Sequence, residues 1–519
     1  MLADQQPDTH ESYDVEAVNS PKRRQPLYAA RKKIFPKRAS GTFRKFKWLV
    51  MLITLGIYYI TPWLRWDRGP YASDQAVLID LEHRRFFFFF IEIWPQEFYY
   101  VAGMLVMAGI GLFLVTSTVG RAWCGYACPQ TVWVDLFLVV ERAIEGDRNA
   151  RIKLDAAPWS LDKIWKRVSK HAIWVLIGVA TGGAWIFYFA DAPALLQDVV
   201  TLQAPLVAYV TIALLTATTY VFGGLMREQV CIYMCPWPRI QGAMLDENSL
   251  TVTYNGWRGE PRTRHAKKAI AEGKPVGDCV DCNACVVVCP MGIDIRDGQQ
   301  LACITCALCI DACDDVMTRL GKEKSLISYT TLNDYNRNMA LATTPEGTIE
   351  PSRVRDAAGK FIDKIRHTTW RSIVRPRTVL YFIGWAAIGL AMLTVLSLRS
   401  PLDINVLHDR NPLYVLLKDG TVRNGYEVKI LNMTPEPRTV TLHLDGLPGG
   451  TLSMADSKGT SEPDLTLELE PDKVLPLRLY VHADPAGLTA RQTGFTMVID
   501  STDGIRAATR ANFEAPEKK

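Results

Sequence analysis

The sequence lacks a large excess of charge of either sign. Its 519 residues include 59 Lys and Arg against 54 Asp and Glu, a formal net charge of +5. Nucleic-acid surfaces need concentrated positive charge, so we expect no nucleic-acid partner. The soluble parts also lack a Gly-rich dinucleotide fingerprint, a P-loop and an HExxH motif. We therefore expect no nicotinamide, flavin or ATP site, and an external donor must supply any electrons.

Cysteine is missing from the carboxyl-terminal part of the chain, because all twelve cysteines lie between Cys124 and Cys313. A disulfide framework would not be confined in this way, whereas clustered cysteines are typical of thiolate ligands kept reduced. Their spacing separates a group of eight from a group of four.

Long uncharged stretches, in contrast, are frequent. Five are long enough, or nearly so, to cross a bilayer, which needs about 20 apolar residues. They are residues 48–64, 98–120, 172–190, 199–226 and 378–398. So many runs are unusual in a soluble protein, and we predict five transmembrane helices in a lipid bilayer.

The distribution of Lys and Arg predicts the orientation of these helices. Eleven basic residues lie between Lys22 and Lys47 and eight between Arg142 and Lys170, but none lies in 191–198. By the positive-inside rule the amino terminus and residues 227–377 are cytoplasmic, and everything after 399 is outside. The outer loop 65–97 carries four arginines that its acidic residues balance, and we expect its run 86–90 at the membrane interface.

Eight cysteines form two runs of equal spacing: Cys279-x2-Cys282-x2-Cys285-x3-Cys289-Pro290 and Cys303-x2-Cys306-x2-Cys309-x3-Cys313. In bacterial two-cluster ferredoxins with this pattern, the fourth cysteine of each run binds the cluster of the other run. The pattern predicts one 4Fe-4S cluster on Cys279, Cys282, Cys285 and Cys313, and a second on Cys303, Cys306, Cys309 and Cys289. Zinc is the alternative, but its ligands usually come as two spaced pairs.

The eight ligands fill both clusters, so we expect electron relay instead of substrate chemistry at iron. Val286, Val287, Val288 and Ile304 are apolar and suited to excluding water. Asp311, Asp314 and Asp315 surround the end of the second run. We expect them to give the second cluster the lower potential, unless solvent screens them.

The other four cysteines form two C-x-Y-x-C-P elements, with Cys124 and Cys128 in the first and Cys231 and Cys235 in the second. An arginine, Arg121 or Arg227, precedes each. The repeat predicts two equivalent edges on the cytoplasmic face. A spacing of four puts both thiols on one face if the helix continues, and the proline then ends or kinks it. Soft thiolates select Cu(I), zinc or iron–sulfur clusters. Two other interpretations of these four cysteines stay open: they are free buried thiols, or they form a disulfide as a catalytic state.

The segment from Pro401 onward alternates apolar and polar residues in short runs. These are 422–430, 439–444, 465–469, 475–481 and 494–499, and turn residues such as Asn424-Gly425 and Asp503-Gly504 occur among them. Short strands at this spacing predict an immunoglobulin-like β-sandwich.

These residues resemble one known family. The segments C-G-Y-A-C-P-Q-T-V-W, C-I-Y-M-C-P-W and W-P-Q-E-F-Y-Y, with the ferredoxin double run, are similar to the FixG/RdxA/CcoG cytochrome oxidase accessory proteins. The resemblance covers most of the chain from Phe46 onward. It implies a bacterial inner-membrane protein that serves assembly of a cbb3-type haem-copper oxidase by reducing Cu(II) to Cu(I). Cys124, Cys128, Cys231 and Cys235 are then the expected catalytic, copper-interacting residues, with copper as substrate or transient ligand.

The expected fold is a multidomain membrane protein: a five-helix α transmembrane bundle, a cytoplasmic two-cluster ferredoxin insert and an extracytoplasmic immunoglobulin-like sandwich. Its divisions are a basic cytoplasmic tail (1–47), helices one to four with both C-x-Y-x-C-P elements (48–245), the ferredoxin-like domain and linker (246–377), helix five (378–398) and the periplasmic domain (399–519).

The resemblance implies cbb3-type oxidase subunits or copper-delivery proteins as partners, with an unidentified cytoplasmic electron donor. Homo-oligomerisation stays open. Two other functions remain as alternatives. One is an electron-transfer subunit linking quinol or a respiratory reductase to the clusters, with the cysteine pairs holding zinc or an additional cluster. The other is a non-redox assembly scaffold.

Overall fold

The computed structural model describes residues 33–69, 72–82, 84–357, 359–369, 372–434, 436–455, 461–471, 473–488 and 490–516. Most of the expected basic tail, residues 1–32, lies outside this part. The chain divides into two compact units. The helical unit comprises Met1–Leu64, Val77–Phe87 and Glu92–Leu390, and the β unit comprises Arg65–Ala76, Phe88–Ile91 and Ala391–Lys519.

Helices dominate the first unit, and the last of them, which ends at Leu398, extends past the boundary at Leu390. They are α1 (Thr42–Ile60), α2 (Tyr99–Val119), α3 (Ala122–Tyr126), α4 (Pro129–Glu145), α5 (Arg148–Ala156), α6 (Leu161–Ile186), α7 (Ala192–Val200), α8 (Leu206–Thr219), α9 (Trp237–Met244), α10 (Gly256–Gly259), α11 (Ala266–Ala271), α12 (Ala284–Val287), α13 (Leu308–Arg319), α14 (Leu332–Ala342) and α15 (Pro376–Leu398). Two π-helical segments, Tyr220–Met226 and Val230–Met234, follow α8.

Four helices within the described residues are long and apolar enough to cross a membrane: Thr42–Trp63, Tyr99–Val119, Leu206–Met226 and Pro376–Leu398. Large apolar side chains on them, such as Leu105, Leu214 and Leu380, are more than half exposed. Extended apolar surface of this kind is characteristic of contact with lipid. The chain is therefore a membrane protein.

The expected third span, 172–190, lies largely in the second half of α6. The first half carries Asp162, Lys163, Lys166, Arg167 and Lys170, and α6 is not among the four apolar helices. A fifth crossing therefore stays a prediction.

Two expected helix boundaries differ from the structure. The fourth span begins at Leu206 and not at 199, because α7 ends at Val200 and Pro205 precedes the new helix. The first helix begins at Thr42, before its expected start at 48. Its first turns include Arg44, which is buried and paired with Asp135 at 2.8 Å.

A short sheet follows α1. Its strands β1 (Val77–Asp80), β2 (Arg85–Phe88) and β3 (Ile91–Ile93) are arranged in that order. The aromatic run 86–90 thus forms most of β2 and the turn after it. Its position at the membrane interface stays a prediction.

One strand pair closes the insert that contains the eight cysteines. Strand β4 (Thr251–Tyr254) precedes the first run, and β5 (Ile327–Thr330) follows the second. They pair antiparallel, with Thr251 opposite Thr330 and Tyr254 opposite Ile327. Both cysteine runs and helices α12 and α13 therefore lie between two paired strands.

The β unit contains two antiparallel sheets. Its strands are β6 (Leu402–His408), β7 (Val415–Leu416), β8 (Val422–Asn432), β9 (Arg438–Asp445), β10 (Thr451–Met454), β11 (Asp464–Leu469), β12 (Val474–Ala483), β13 (Gln492–Ser501) and β14 (Arg506–Glu514). One sheet has the order β10-β12-β8-β6, with β7 also paired to β8, and the other has the order β11-β9-β13-β14. Both contribute to one core, which includes Tyr426, Val428, Leu442 and Phe513. All five expected strands are confirmed within a sandwich.

Candidate functional site

The two ferredoxin runs fold into matching loops. The residues on both sides of the second cysteine of each run have left-handed backbones: Asp281 and Asn283 around Cys282, and Thr305 and Ala307 around Cys306. Non-glycine residues adopt this conformation at a cost of about 1 kcal/mol or more, and it persists where the surroundings fix it. Each run therefore turns twice, and this brings its cysteines together.

The fourth cysteine of each run lies with the other run. The thiols that act most strongly on Cys313 are those of Cys285, Cys279 and Cys282. Those acting on Cys289 belong to Cys306 and Cys303. The first set is thus Cys279, Cys282, Cys285 and Cys313, and the second set is Cys289, Cys303, Cys306 and Cys309. Ligation of iron by these particular sets stays a prediction.

Burial disfavours the charged form of these thiols. It raises the pKa of Cys289 to about 12 and that of Cys303 to about 11. Thiolate ligands there require a strongly positive metal group. In the described part of the chain, no three His, Cys, Asp or Glu side chains lie close enough to hold a single metal ion. Two sets of four cysteines match the four thiolate ligands that each 4Fe-4S cluster needs.

The neighbours of the two sets include apolar side chains and carboxylates. Val286, Val287, Val288 and Ile304 are buried, so the expected apolar surroundings are present. Two of the three expected carboxylates, Asp311 and Asp314, lie near the cysteine sets as well.

Asp314 acts on Cys313, which belongs to the first set. Asp311 accepts the backbone N–H groups of Phe43 and Arg44 at the start of α1, at 3.2 and 2.7 Å. The partial positive charge at the N-terminus of a helix partly offsets the negative charge of a carboxylate such as that of Asp311. Asp311 also acts on Tyr126 together with Cys306 and Cys309 of the second set, so the expected lower potential of the second cluster stays a prediction.

The C-x-Y-x-C-P elements are not helices that continue to the proline. Helix α3 contains Cys124 but ends at Tyr126, and α4 begins after Cys128. In the second element a π-helical segment contains Cys231, and α9 begins after Pro236. The condition for aligning both thiols of an element along one helix is therefore not met. Proline lacks an N–H group and suits the first turn of a new helix, so each element is a helix break.

The tertiary structure nevertheless brings the four cysteines together into a thiol quartet, Cys124, Cys128, Cys231 and Cys235. Burial and the thiols of the other three raise the pKa of Cys231 to about 12. Burial, then Cys128, raises the pKa of Cys124 to about 11. The Cys124 thiol donates to Oε1 of the buried Gln241 at 3.0 Å. Sequence reasoning missed Gln241, which lies outside both elements.

The first element packs directly against the second set. A Cβ added to Gly125 would lie 2.6 Å from the carbonyl oxygen of Ile304 and 3.0 Å from Cα of Cys306. The hydroxyl of Tyr126 donates to the carbonyl oxygen of Cys306 at 3.1 Å. Cys124 packs against the apolar cluster that includes Ile304 and Cys306, as does Cys231. The thiol quartet is therefore in packing contact with the second set.

Arg121 connects the same two groups. Its buried guanidinium donates to the carbonyl oxygens of Leu301 and, at 2.9 Å, of Cys303. The thiols acting on it include Cys124 and Cys231 from the quartet and Cys303 from the second set. Sequence reasoning assigned no role to Arg121. Only its position just before the first C-x-Y-x-C-P element could have indicated that it lies at the site.

The fold and this site define a membrane-bound iron–sulfur protein of the ferredoxin type, with an immunoglobulin-like domain at its carboxyl end. Family models match in three parts. Residues 226–332 match a 4Fe-4S dicluster domain, 101–145 match a 4Fe-4S binding domain, and 392–516 match the Ig-like fold at the C-terminus of FixG.

Curated relatives extend over most of the chain. The nitrogen fixation protein FixG of Rhizobium meliloti is 67% identical over 97% of this chain and 96% of its own. Protein RdxA of Cereibacter sphaeroides is 51% identical over 94% of this chain and 98% of its own. The chain belongs to the FixG/RdxA family and is an iron–sulfur electron-transfer protein. A solved FixG-related protein from Vibrio parahaemolyticus matches 23% of this chain and 100% of that chain, with 22% identity and a TM-score of 0.20.

Proposed function

We propose that this protein passes single electrons to Cu(II) at the thiol quartet and releases Cu(I) for the assembly of a cbb3-type oxidase. The observation that carries the proposal is the packing of Gly125 and Tyr126 against the Cys306 loop. The 4Fe-4S clusters, when bound, supply one-electron transfer. Soft thiolates favour Cu(I), so the quartet stabilises the reduced product.

One electron is transferred for each copper ion. A soluble one-electron donor on the ferredoxin side loses the electron, and Cu(II) gains it to become Cu(I). Cu(I) prefers soft thiolate ligands, and the quartet brings four thiols close enough for three of them to raise the pKa of the fourth, Cys231. Buried Val286 and Ile304 exclude water beside the cysteine sets, and Arg121 holds the second set against the quartet.

Five crossings of a bacterial inner membrane, with the ferredoxin insert cytoplasmic, are part of this proposal. Basic residues that flank the five expected spans are held by nearby acceptors: Arg44 by Asp135, Arg121 by the Cys303 carbonyl, Lys170 by Glu145, Arg227 by Glu141 and Arg375 by Asp246. Each of these residues lies at the end of its span that the positive-inside rule assigns to the cytoplasm. This favours α6 as the fifth crossing.

The β unit is then periplasmic, and we propose it as a docking module for an oxidase subunit or a copper-delivery protein. The β unit includes the loop residues Arg65–Ala76. The proposed topology of five crossings places that loop on the periplasmic side, and this supports a periplasmic location for the β unit.

An electron-transfer subunit linked to quinol is the second candidate, with an additional cluster on the quartet. The 4Fe-4S binding model over residues 101–145 favours it, since the only cysteines in this range are Cys124 and Cys128.

The test is copper addition to anaerobically purified, dithionite-reduced protein, with a Cu(I)-specific chelator trapping the product. The iron–sulfur optical and EPR signals should be reoxidised in step with Cu(I). Replacing Cys124 and Cys128 by Ser, or Cys231 and Cys235, should abolish this reaction with full iron content. Met234→Leu, inside the second element, keeps every thiol and should stay active.

Copper reduction by either double variant with full iron would reject the quartet as the reaction site. If the double variants lose about four irons per chain, and a quinone discharges the reduced wild type while copper does not, the second candidate is correct.

A further inference from the structure

A cavity separate from the cysteine sites lies where α4, α5 and α6 meet the π-helical segment Tyr220–Met226. Its volume is about 190 Å³. Residues 33–35, which precede α1, line one side of it. None of its lining residues is a cysteine, and electron transfer as proposed above does not use it.

The cavity has an excess of positive charge. Five cationic side chains line it against two carboxylates, Glu141 and Asp155. The cations are Lys33, Arg151, Arg167, Lys170 and Arg227. Glu141 is shared between Arg151 and Arg227, and Asp155 between Lys33 and Arg167. Glu145, which lies outside the lining, is shared between Arg167 and Lys170. The carboxylates therefore do not balance the cations.

Arg151 is the most informative of these residues. It is only 2% exposed, and its Nε and Nη1 atoms have no hydrogen-bond partner among the described residues. Its remaining nitrogen, Nη2, donates to Glu141, while Nε lies 3.8 Å from a carboxylate oxygen of Glu145. A buried guanidinium with unbonded N–H groups is costly, and an oxyanion that accepts two such bonds would satisfy it.

We propose that this cavity binds a phosphate-type oxyanion, which Arg151 holds through its free N–H groups. Either the headgroup phosphate of an anionic phospholipid or inorganic phosphate has the required chemistry. The position favours a lipid. Lys170 and Trp174 lie where α6 becomes apolar, and Arg227 ends an apolar helix, so the cavity is at headgroup level if these helices cross the bilayer. Basic pockets between transmembrane helices bind such headgroups.

The site also adjoins the segment that carries Cys231 of the thiol quartet. Arg227 has a left-handed backbone, with φ of 47°, between the cavity and the π-helical segment Val230–Met234. A bound oxyanion therefore neutralises charge next to the segment that positions Cys231.

The test is thermal unfolding of the full-length protein after delipidation in detergent. The midpoint Tm is measured after each of three separate additions. These are mixed micelles that contain phosphatidylglycerol, mixed micelles that contain phosphatidylcholine, and inorganic phosphate. Phosphatidylglycerol should raise Tm above the phosphatidylcholine value, and Arg151→Gln should weaken this response about tenfold in concentration. Lys153→Gln removes an exposed charge from the same helix and should respond like wild type.

The three additions separate the outcomes. A response to phosphatidylglycerol alone supports a lipid ligand, and a response to phosphate supports a soluble one. No response above the phosphatidylcholine value, or an unchanged response in Arg151→Gln, overturns the site. If Arg151→Gln does not fold, Lys33→Gln replaces it, because Lys33 is exposed at the cavity rim. It should weaken the response and the lipid retention seen by native mass spectrometry, and unchanged values would overturn the site.

Discussion

The two C-x-Y-x-C-P elements are alike in sequence and different in structure. In the first, Tyr126 is 7% exposed and donates to Cys306. In the second, Tyr233 is 64% exposed and lies in a π-helical segment. The expected equivalent edges are therefore wrong. The shared motif sets the spacing of two thiols and a helix break, but it does not determine what the element packs against.

The residue after the first cysteine accounts for much of this difference. It is Gly125 in the first element and Ile232 in the second. Only glycine allows the backbone to approach the Ile304 carbonyl so closely. The preceding arginines differ as well, because Arg121 bonds to the second cysteine set whereas Arg227 pairs with Glu141.

Gly125→Ala should have the largest effect of three substitutions that test this asymmetry. The added Cβ meets backbone atoms, which cannot move aside easily, so we expect a cost of about 3 kcal/mol and a Tm lower by about 5 °C or more. Gly109→Ala in α2 is the control, since nothing lies within 4 Å of its new Cβ. Equal Tm values for both variants would contradict the close contact.

Arg121→Gln should lower the reduction potential of the centre on the second set. Loss of a nearby positive charge disfavours the added electron by about 1.4 kcal/mol, which is about 60 mV for one electron. Arg227→Gln, at the equivalent place in the second element, should leave that potential unchanged. Potentiometric titration followed by EPR measures both variants. Equal shifts would mean that the two arginines act alike.

Tyr126→Phe should have the smallest effect. It removes one hydrogen bond to the Cys306 carbonyl, worth about 1 kcal/mol. Tyr233→Phe should change Tm very little, because Tyr233 is exposed. The measurement is the Tm of each variant in thermal unfolding, compared with wild type. A larger decrease in Tm for Tyr233→Phe than for Tyr126→Phe would show that the second element has the tighter contact.

Local patterns predicted much of the fold. Alternation over 422–430 and 494–499 predicted β8 and β13, because a strand with one buried face has a period of two. Four of the five apolar runs correspond to helices that can cross a membrane. The π-helical geometry at Val230–Met234 was missed, because it depends on packing that no local pattern records.

The sequence by itself determined the ligand types, their spacing and the membrane-crossing character, because thiol chemistry, local turns and apolar length are local properties. Only the tertiary structure decided that Asp311 caps α1, that Arg121 lies between the quartet and the second set, and that the two elements have different surroundings. These contacts join residues far apart in the chain. They depend on how closely two backbones approach, which spacing along the chain does not determine.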